Sequence, residues 1–528
     1  VVLKQVPTPP KEISKREVID GQQRLTTLQL LLDAIQYVCE KRNFEGVTSR
    51  LEVLVQNNQS FINKDEEAFK LWPTLKDRSA FKHAMDNRLL VDEFQDSLIV
   101  QAHEYFQIQA DQWVGSDPES AQTRMESLEA VITGMLQMVV IDLAPEDEPH
   151  IIFETLNARG TPLLESEMIK NYVAMRMNTS GDIVWKDLDD DWWRKVIGRG
   201  HLRRPRIDVI LNYWLEMYTR ENISLGKIFS SFKKQGDLYA SSDFAEKFIE
   251  NMFKDLSNFR KYEEGPRTNT VEDVFHYRAG VMQMAVFTPV LLSLFSWPEE
   301  IRIQILKTLE SFLVRRMICR LTTKDYSKMV LDLVQKIDRQ NFKNNHQIIK
   351  HFLLSQTLES RRWPTDGDLK EAFLIQPLYR LLTRGRLRLI MEGIEEHYRR
   401  DPDVSQKEVP KNLTIEHIMP QGWTPECWPL PGQADEREEL SEERRRLVDT
   451  IGNLTLVTQP LNSSMSNASW EKKQKMLLKR DTTLLMNSRL VLNHNKAWTE
   501  ETIKSRSTKM AEIVAKVWPM PAPDYVST

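Results

Sequence analysis

Two short apolar runs near the carboxyl end, 413-LTIEHIM-419 and 453-NLTLVTQ-459, decide how this chain is read. Each is aliphatic and β-branched over a few positions and too short for an amphipathic helix, so each reads as a strand. A Trp/Pro/Gly-rich loop and the charged segment 434-ADEREELSEERRRL-447 interrupt them. A polar turn, 462-NSSMSN-467, then leads into a helix expected from about Ser469. Strand, loop, strand, helix is a compact ββα unit. Its polar residues fall in a telling order: Glu416-His417 at the end of the first strand, Asn453 at the start of the second, Asn462 before the helix.

Outward from this unit, 401-DPDVSQKEVPKN-412 is polar with two prolines and reads as a linker. Residues 179–400 are almost wholly helical in pattern, as in 205-PRIDVILNYWLEMYT-219, 300-EIRIQILKTLESFLVRRMICRLT-322 and 386-RLRLIMEGIEEHYRR-400. No period repeats, which disfavours a solenoid. The chain opens as a strand, a Pro- and Lys-rich connector and a second strand, 1-VVLKQVPTPPKEISKREVIDGQQR-24. A domain rarely starts in the middle of a sheet, so we expect residues to precede Val1. In 18-VIDGQQRLTTLQLLL-32 a strand turns into a helix whose Leu28, Leu31, Leu32, Ile35 and Val38 should bury one face. Breaks are expected near 57-NNQS and 115-GSDPES, and a β-type run at 137-QMVVIDL-143. The expected fold is mainly α with small α/β parts. Its regions are 1–178, a helical middle at 179–400, a linker at 401–412, and 413–528 with a helical tail at 499-TEETIKSRSTKMAEIVAKVW-518.

With 528 residues the chain exceeds one core, and two to four domains are expected. Apolar content of 41% and charged content of 28% describe an ordinary soluble protein. The longest apolar runs fall short of a bilayer span and no signal peptide opens the chain, so a cytoplasmic location is expected. Cys39, Cys319 and Cys427 are too few and too scattered for a disulfide framework or a zinc knuckle. A net charge of −4 argues against a protein that coats nucleic acid non-specifically. A local basic groove from 194-RKVIGRGHLRRPR-206 and 472-KKQKMLLKR-480 stays open beside the plainer reading of solvated surface.

The ββα order fits metal-dependent phosphodiester hydrolysis. That chemistry needs a neutral imidazole to deprotonate water, and one hard divalent cation, Mg²⁺ or Mn²⁺, held by oxygen ligands. His417 suits the base; Glu416 and Asn462 suit the ligands. Alternation sends Glu416 and His417 to opposite faces of a strand, so a kink or turn is expected at that point, beside Pro420.

The stretches 415-IEHIMPQ-421 and 451-IGNLTLVTQPLNSSMSNASWEKK-473 resemble the carboxyl-terminal HNH nuclease domain of GmrSD-type modification-dependent (type IV) restriction endonucleases. Shared are an acidic-His-Ile-x-Pro strand, a Gly-Asn-Leu-x-Leu strand, and an Asn-x-x-x-Ser-Asn turn before an aromatic and two lysines. The HNH domain of RNA-guided nucleases is a more distant relative whose Asn spacing matches Asn453 and Asn462, which favours Asn462 over Asn467. The resemblance implies that Asn453 orients the base histidine. No histidine sits on the final helix of the unit, and His494 lies too far along to be chosen as a ligand.

The same family carries Asp-Gly-Gln-Gln-Arg-Leu-Thr-Thr-Leu, here Asp20 to Leu28, and Phe-Glu-Thr-Leu-Asn-x-Arg-Gly-x-Pro-Leu, here Phe153 to Leu163. A third likeness is 312-FLVRRMICRLTTKDY-326. The resemblance implies an amino-terminal ParB/sulfiredoxin-like domain that binds and hydrolyses a nucleoside triphosphate (NTP), coupled to cleavage of DNA, with modified phage DNA as target. Physical chemistry is compatible with that. Gly21 lets a ligand approach the backbone, the helix start offers N–H groups and a positive dipole end, and Arg24 offers a fork of donors to phosphate. Asp20 would hold Mg²⁺ or a water, Gln22 or Gln23 would place the nucleophile, and Asn157 and Arg159 would complete the pocket. The plainer reading is that Asp20 caps the helix and pairs with Arg24. One HNH site cuts one strand, so a double-strand break implies a homodimer or two nicks. The competing function is a nucleotide-gated DNA sensor that recruits another effector.

Overall fold

The computed structural model describes residues 1–9, 12–62, 64, 67–73, 77–86, 94, 96–144, 164–177, 185–198, 200, 203–238, 242–265, 269–338, 342–405, 408–430, 437–480 and 484–522. It is mainly α with small α/β parts. Two compact units divide it, Val1–Asp208 and Val209–Thr528.

The first unit opens with β1 (Val2–Val6) and β2 (Lys15–Asp20), which pair antiparallel. β3 (Ile141–Leu143) lies parallel to β1 on its other edge, giving the order β2-β1-β3. β2 runs into the helix Gln22–Lys41 through Gly21, whose φ of 99° favours glycine. The same position is closed to a side chain, since a Cβ there would lie 2.8 Å from Val1 Cγ2. The helix buries Leu30, Leu32, Ile35, Val38 and Cys39, while Leu31 packs partly buried at the edge. Its buried arc is wide because it packs on both Glu45–Val55 and Leu98–Val114. A buried polar contact joins it to the latter: His103 Nε2 lies 2.8 Å from Asp33 Oδ2. Breaks fall where the polar clusters predict, after Val55 and between Val114 and Pro118. Within the basic stretch 194–206, β4 (Val196–Ile197) pairs antiparallel with β5 (Arg204–Pro205). Arg194 is paired with Asp189, and the Arg206 guanidinium stacks 3.9 Å over Trp192. Trp193 is fully buried, so that Trp pair serves packing.

The second unit is built on long helices. Glu299–Ile318 is buried along its carboxyl-terminal half, including two arginines with no solvent exposure. Arg315 donates to Trp518 O at 2.5 Å, Pro364 O at 3.0 Å and Asp366 Oδ1 at 2.7 Å. Arg316 donates to the Tyr326 hydroxyl at 3.0 Å and to the carbonyls of Arg362, Thr322 and Ser360 at 2.6–2.7 Å. The stretch 312–326 is thus a pair of guanidinium staples; each fork satisfies carbonyls that burial would otherwise leave unpaired.

β6 (Leu413–His417) pairs antiparallel with β7 (Leu454–Thr458). One face of this ribbon, with Leu413, Leu454 and Leu456, joins the large core that also holds Phe312, Leu387, Ile394 and Val514. Residues on both sides of 401–412 therefore share one core. The other face, through Val457, joins a smaller core with Ile418, Leu461, Met465 and Trp470. Residues 462–467, expected as a turn, are mostly helix: Gln459–Met465, with Pro460 in the first turn. Pro fixes φ at a helix start, and Leu461 and Met465, four apart, bury together. The turn comes later, at Ser466 with φ 35°, before the helix Trp470–Arg480.

A short 3₁₀ turn, Ile451–Asn453, enters β7. Gly452 is required there by the tail helix Glu500–Val517: a Cβ would fall 2.2 Å from Ser507 Oγ and 2.3 Å from Ile503 O. Gly452→Ala is therefore expected to destabilise the protein by about 1–3 kcal/mol or more through overpacking. A urea-denaturation midpoint unchanged by this substitution would refute the close approach.

Candidate active site

β6 ends on the two residues of interest. Pairing persists to its last position, with Glu416 opposite Thr455 and His417 opposite Leu454. The turn follows at once, as Ile418 N donates to Asn453 O at 2.8 Å and Trp423 N to Pro420 O at 3.2 Å. The two side chains leave on opposite faces, and each has its own partners.

The His417 ring is nearly buried. Its Nε2 lies 3.0 Å from Asp449 Oδ1, and its ring meets Tyr379 edge-on at 4.2 Å. Asp449 is a hub. Its side chain, 1% exposed, also accepts from Gln421 Nε2 at 2.7 Å and from the Arg380 guanidinium. Its carbonyl accepts from Tyr379 N at 3.1 Å. Burial alone would raise the Asp449 carboxyl, but hydrogen bonds from His417 and Gln421 and the charges of His417 and Arg380 outweigh it and hold the carboxyl below the usual range. An ionised Asp449 favours the tautomer with the imidazole proton on Nε2 and a lone pair on Nδ1.

Asn453 is fully buried and uses its whole hydrogen-bonding capacity. Oδ1 accepts from Met419 N at 2.8 Å and Trp498 Nε1 at 2.9 Å; Nδ2 donates to Met419 O and Val448 O, each at 2.8 Å. It does not touch the imidazole. It clamps the backbone just after His417 to the backbone just before Asp449.

On the opposite face Lys473 is wholly buried. Its ammonium donates to Glu416 Oε1 at 2.6 Å and to His417 O at 2.7 Å. Burial pushes the Lys473 pKa below its ordinary range, although the Glu416 carboxylate beside it works the other way. Asn462 Nδ2 donates to Thr414 Oγ1 at 3.0 Å and Ile415 O at 3.1 Å. Thr414 shares the face of Glu416, so Glu416 and Asn462 stand on one side of β6. Glu416 Oε2 and Asn462 Oδ1 have no protein donor among the described residues. One carboxylate and one amide oxygen, with water for the rest, suit Mg²⁺, which keeps several waters. No cluster of three or more His, Cys, Asp or Glu is found among the described residues.

In the first unit, Arg24 Nη2 donates to Asp20 Oδ2 at 2.9 Å, both groups partly exposed. Gly21 is the N-cap position and no side chain caps the helix. Asp20 therefore pairs with Arg24 without capping. Gln22 Nε2 reaches Val18 O at 3.4 Å, and Gln23 is exposed. The motif Phe153–Leu163, with Asn157 and Arg159, lies outside the described residues.

Two family models match this sequence. One is the GmrSD restriction endonuclease N-terminal domain, over residues 1–174. The other is the GmrSD restriction endonucleases C-terminal domain, over residues 363–513. The chain belongs to the GmrSD restriction endonucleases. Comparison with curated proteins returns no match.

Membership makes this chain a restriction-type DNA endonuclease. The Asp20–Arg24 turn falls in the matched N-terminal segment; Glu416, His417, Asn453 and Asn462 fall in the C-terminal one. No helix among the described residues is long and apolar enough to cross a membrane. In this GmrSD endonuclease nothing in the local sequence marks Asp449, Tyr379 and Gln421 as companions of His417. Asp449 lies four positions before Asn453, inside the Gly-Asn-Leu neighbourhood, but nothing local tells its side chain from a surface carboxylate. Tyr379 comes from a distant helical segment and has no sequence signal. Lys473 was visible as one of two lysines after an aromatic; its burial was not.

Proposed function

We propose that this GmrSD chain is an HNH DNA endonuclease in which His417 deprotonates the attacking water. The observation that supports this best is the Asp449–His417 contact at the end of β6. Ionised Asp449 fixes the imidazole's tautomer and offsets the charge it gains on taking a proton, as an orienting carboxylate does for other base histidines. Tyr379 restrains the ring from one side. Glu416 and Asn462 would hold a Mg²⁺ or Mn²⁺ ion, which when bound supplies Lewis-acid stabilisation of the scissile phosphate. Lys473 fixes the Glu416 carboxylate through Oε1 and leaves Oε2 to bind. Asn453 acts through the backbone, holding the His417 and Asp449 segments in register.

The amino-terminal turn is proposed to take an NTP, with Gly21, Gln22 and Gln23 at the helix start, Arg24 on phosphate, and Asp20 on a metal ion or water. The uncapped helix start and the exposed Arg24–Asp20 pair support it, because an exposed pair contributes little and can be exchanged for phosphate contacts at small cost. The target is proposed to be modified phage DNA in the cytoplasm. A homodimer would cut both strands.

The test is a cleavage panel. Unmodified, cytosine-modified and phosphorothioated duplexes are each incubated with and without Mg²⁺, and with each NTP. Cleavage of a modified duplex that is stopped by EDTA and stimulated by one NTP is expected. Cleavage indifferent to metal refutes the HNH reading. Arg24→Ala is expected to weaken NTP binding by about tenfold or more, the worth of one charge-assisted contact, while leaving thermal stability within about 0.5 kcal/mol. Equal NTP affinity in calorimetric titration of the variant would remove the phosphate role from Arg24.

A further inference from the structure

A small cleft in the second unit lies among the helices Arg384–Arg399, Leu485–Asn493 and Glu500–Val517. Its polar lining is Tyr398, Arg489, Asn493, His494, Arg506 and Lys509, and the remaining lining residues are apolar. The lining contains cationic groups and no carboxylate. Arg506 is buried, yet its hydrogen-bond partners are two carbonyls, Gly452 O at 2.7 Å and Leu454 O at 2.6 Å, both from Nη1. Its other N–H groups have no protein acceptor among the described residues. Arg489 stacks on Tyr398 at 4.6 Å and, like Lys509, is exposed without an ion pair among the described residues. Glu395, on the helix of Tyr398, is already committed to Arg399 Nε at 2.8 Å and to the amides of Leu485 and Met486 at 2.9 and 2.8 Å.

Burying a guanidinium without a counter-charge is costly, and buried charges are ordinarily paired. We propose that this cleft binds a phosphate oxyanion, with Arg506 at its floor and Arg489 and Lys509 at its rim. The arginine forks suit phosphate oxygens and the lysine supplies a point charge. Burial lowers the Arg506 pKa to about 10, and burial with the charges of Arg506 and Lys509 pushes His494 down as well, both consistent with a site short of negative charge. The cleft is mechanically tied to the strand entry. Arg506 grips the carbonyls on either side of Asn453, and His494 packs edge-on against Trp498, 5.2 Å between centroids, whose Nε1 binds Asn453 Oδ1. An anion bound to Arg506 would lie one residue's contact away from the backbone that carries Asn453. The site stands whether or not His417 is the base.

The oxyanion has two possible sources, a free phosphate or nucleotide and the backbone of bound DNA. The test uses the full chain and the variant Arg489→Gln/Lys509→Gln, whose exposed positions leave folding intact. Inorganic phosphate, pyrophosphate and NTP are titrated while the melting temperature is followed, with sodium chloride at matched ionic strength as control. DNA affinity is measured without divalent cation across a salt series. A melting shift with phosphate ligands in the wild type, lost in the variant, assigns the site to a free phosphate. A DNA affinity at least about tenfold lower in the variant, with a salt slope smaller by about 0.9 per contact removed, assigns it to the DNA backbone. Identical melting shifts and identical DNA salt slopes for the two proteins overturn the proposal.

Discussion

His417→Ala is expected to slow DNA cleavage by about 10²–10⁴-fold, the usual worth of a positioned general base. The fold should survive. His417 ends its strand, and the backbone around it is held by Asn453 and Lys473, not by the imidazole. Asp449 keeps Gln421 and Arg380, so stability should fall only by about 1–3 kcal/mol, the cost of one buried hydrogen bond, while nicking of a plasmid substrate disappears. Asp449→Asn should fall between, with cleavage lowered by about ten- to a hundredfold, because the ring keeps its neighbours but loses the carboxylate that sets its tautomer. If His417→Ala cuts as well as wild type, the nuclease assignment of this residue is wrong. A cleavage-dead variant that still binds modified DNA would isolate the sensing step.

The second large effect is on stability. Lys473→Met should cost about 3–5 kcal/mol, because it strands the Glu416 carboxylate in a site where Lys473 is wholly buried and Glu416 nearly so. Adding Glu416→Gln to that variant should recover much of the loss, since a neutral amide in place of the carboxylate needs no buried counter-charge. Both steps are read as shifts of the denaturation midpoint. A Lys473→Met protein within about 1 kcal/mol of wild type would show that the pair is not a buried one. These shifts read the bond of Glu416 to Lys473 alone; the metal-ligand role proposed for its other oxygen is read separately, from cleavage by Glu416→Gln with and without Mg²⁺.

Helices were legible wherever one apolar face repeats, as in Glu299–Ile318 and Glu500–Val517. The β-type runs at both ends were legible because β-branched residues cluster between turn residues. Residues 462–467 misled because serines and asparagines favour turns locally, while Leu461 and Met465 gain more by burying together as a helix. The arginines of 312–326 look like surface charge in a sequence. Their role as staples depends on carbonyls that arrive from far along the chain. The same holds at the candidate site. Glu416, His417, Asn453 and Asn462 were found by order and spacing, but the partners that give each its task came from elsewhere.

What the sequence by itself determined is therefore the family, the strand–turn–helix at Asp20–Arg24, and the carboxyl-terminal order of strand, strand and helix with its polar residues. These depend on local pattern, the period of apolar residues and the turn chemistry of Gly and Pro. Tertiary structure alone decided that His417 leans on Asp449, that Lys473 is the buried counter-charge of Glu416, and that Asn453 is a backbone clamp. Those facts rest on burial and on contacts between residues tens of positions apart. Desolvation is a property of the packed interior, and no local pattern encodes it.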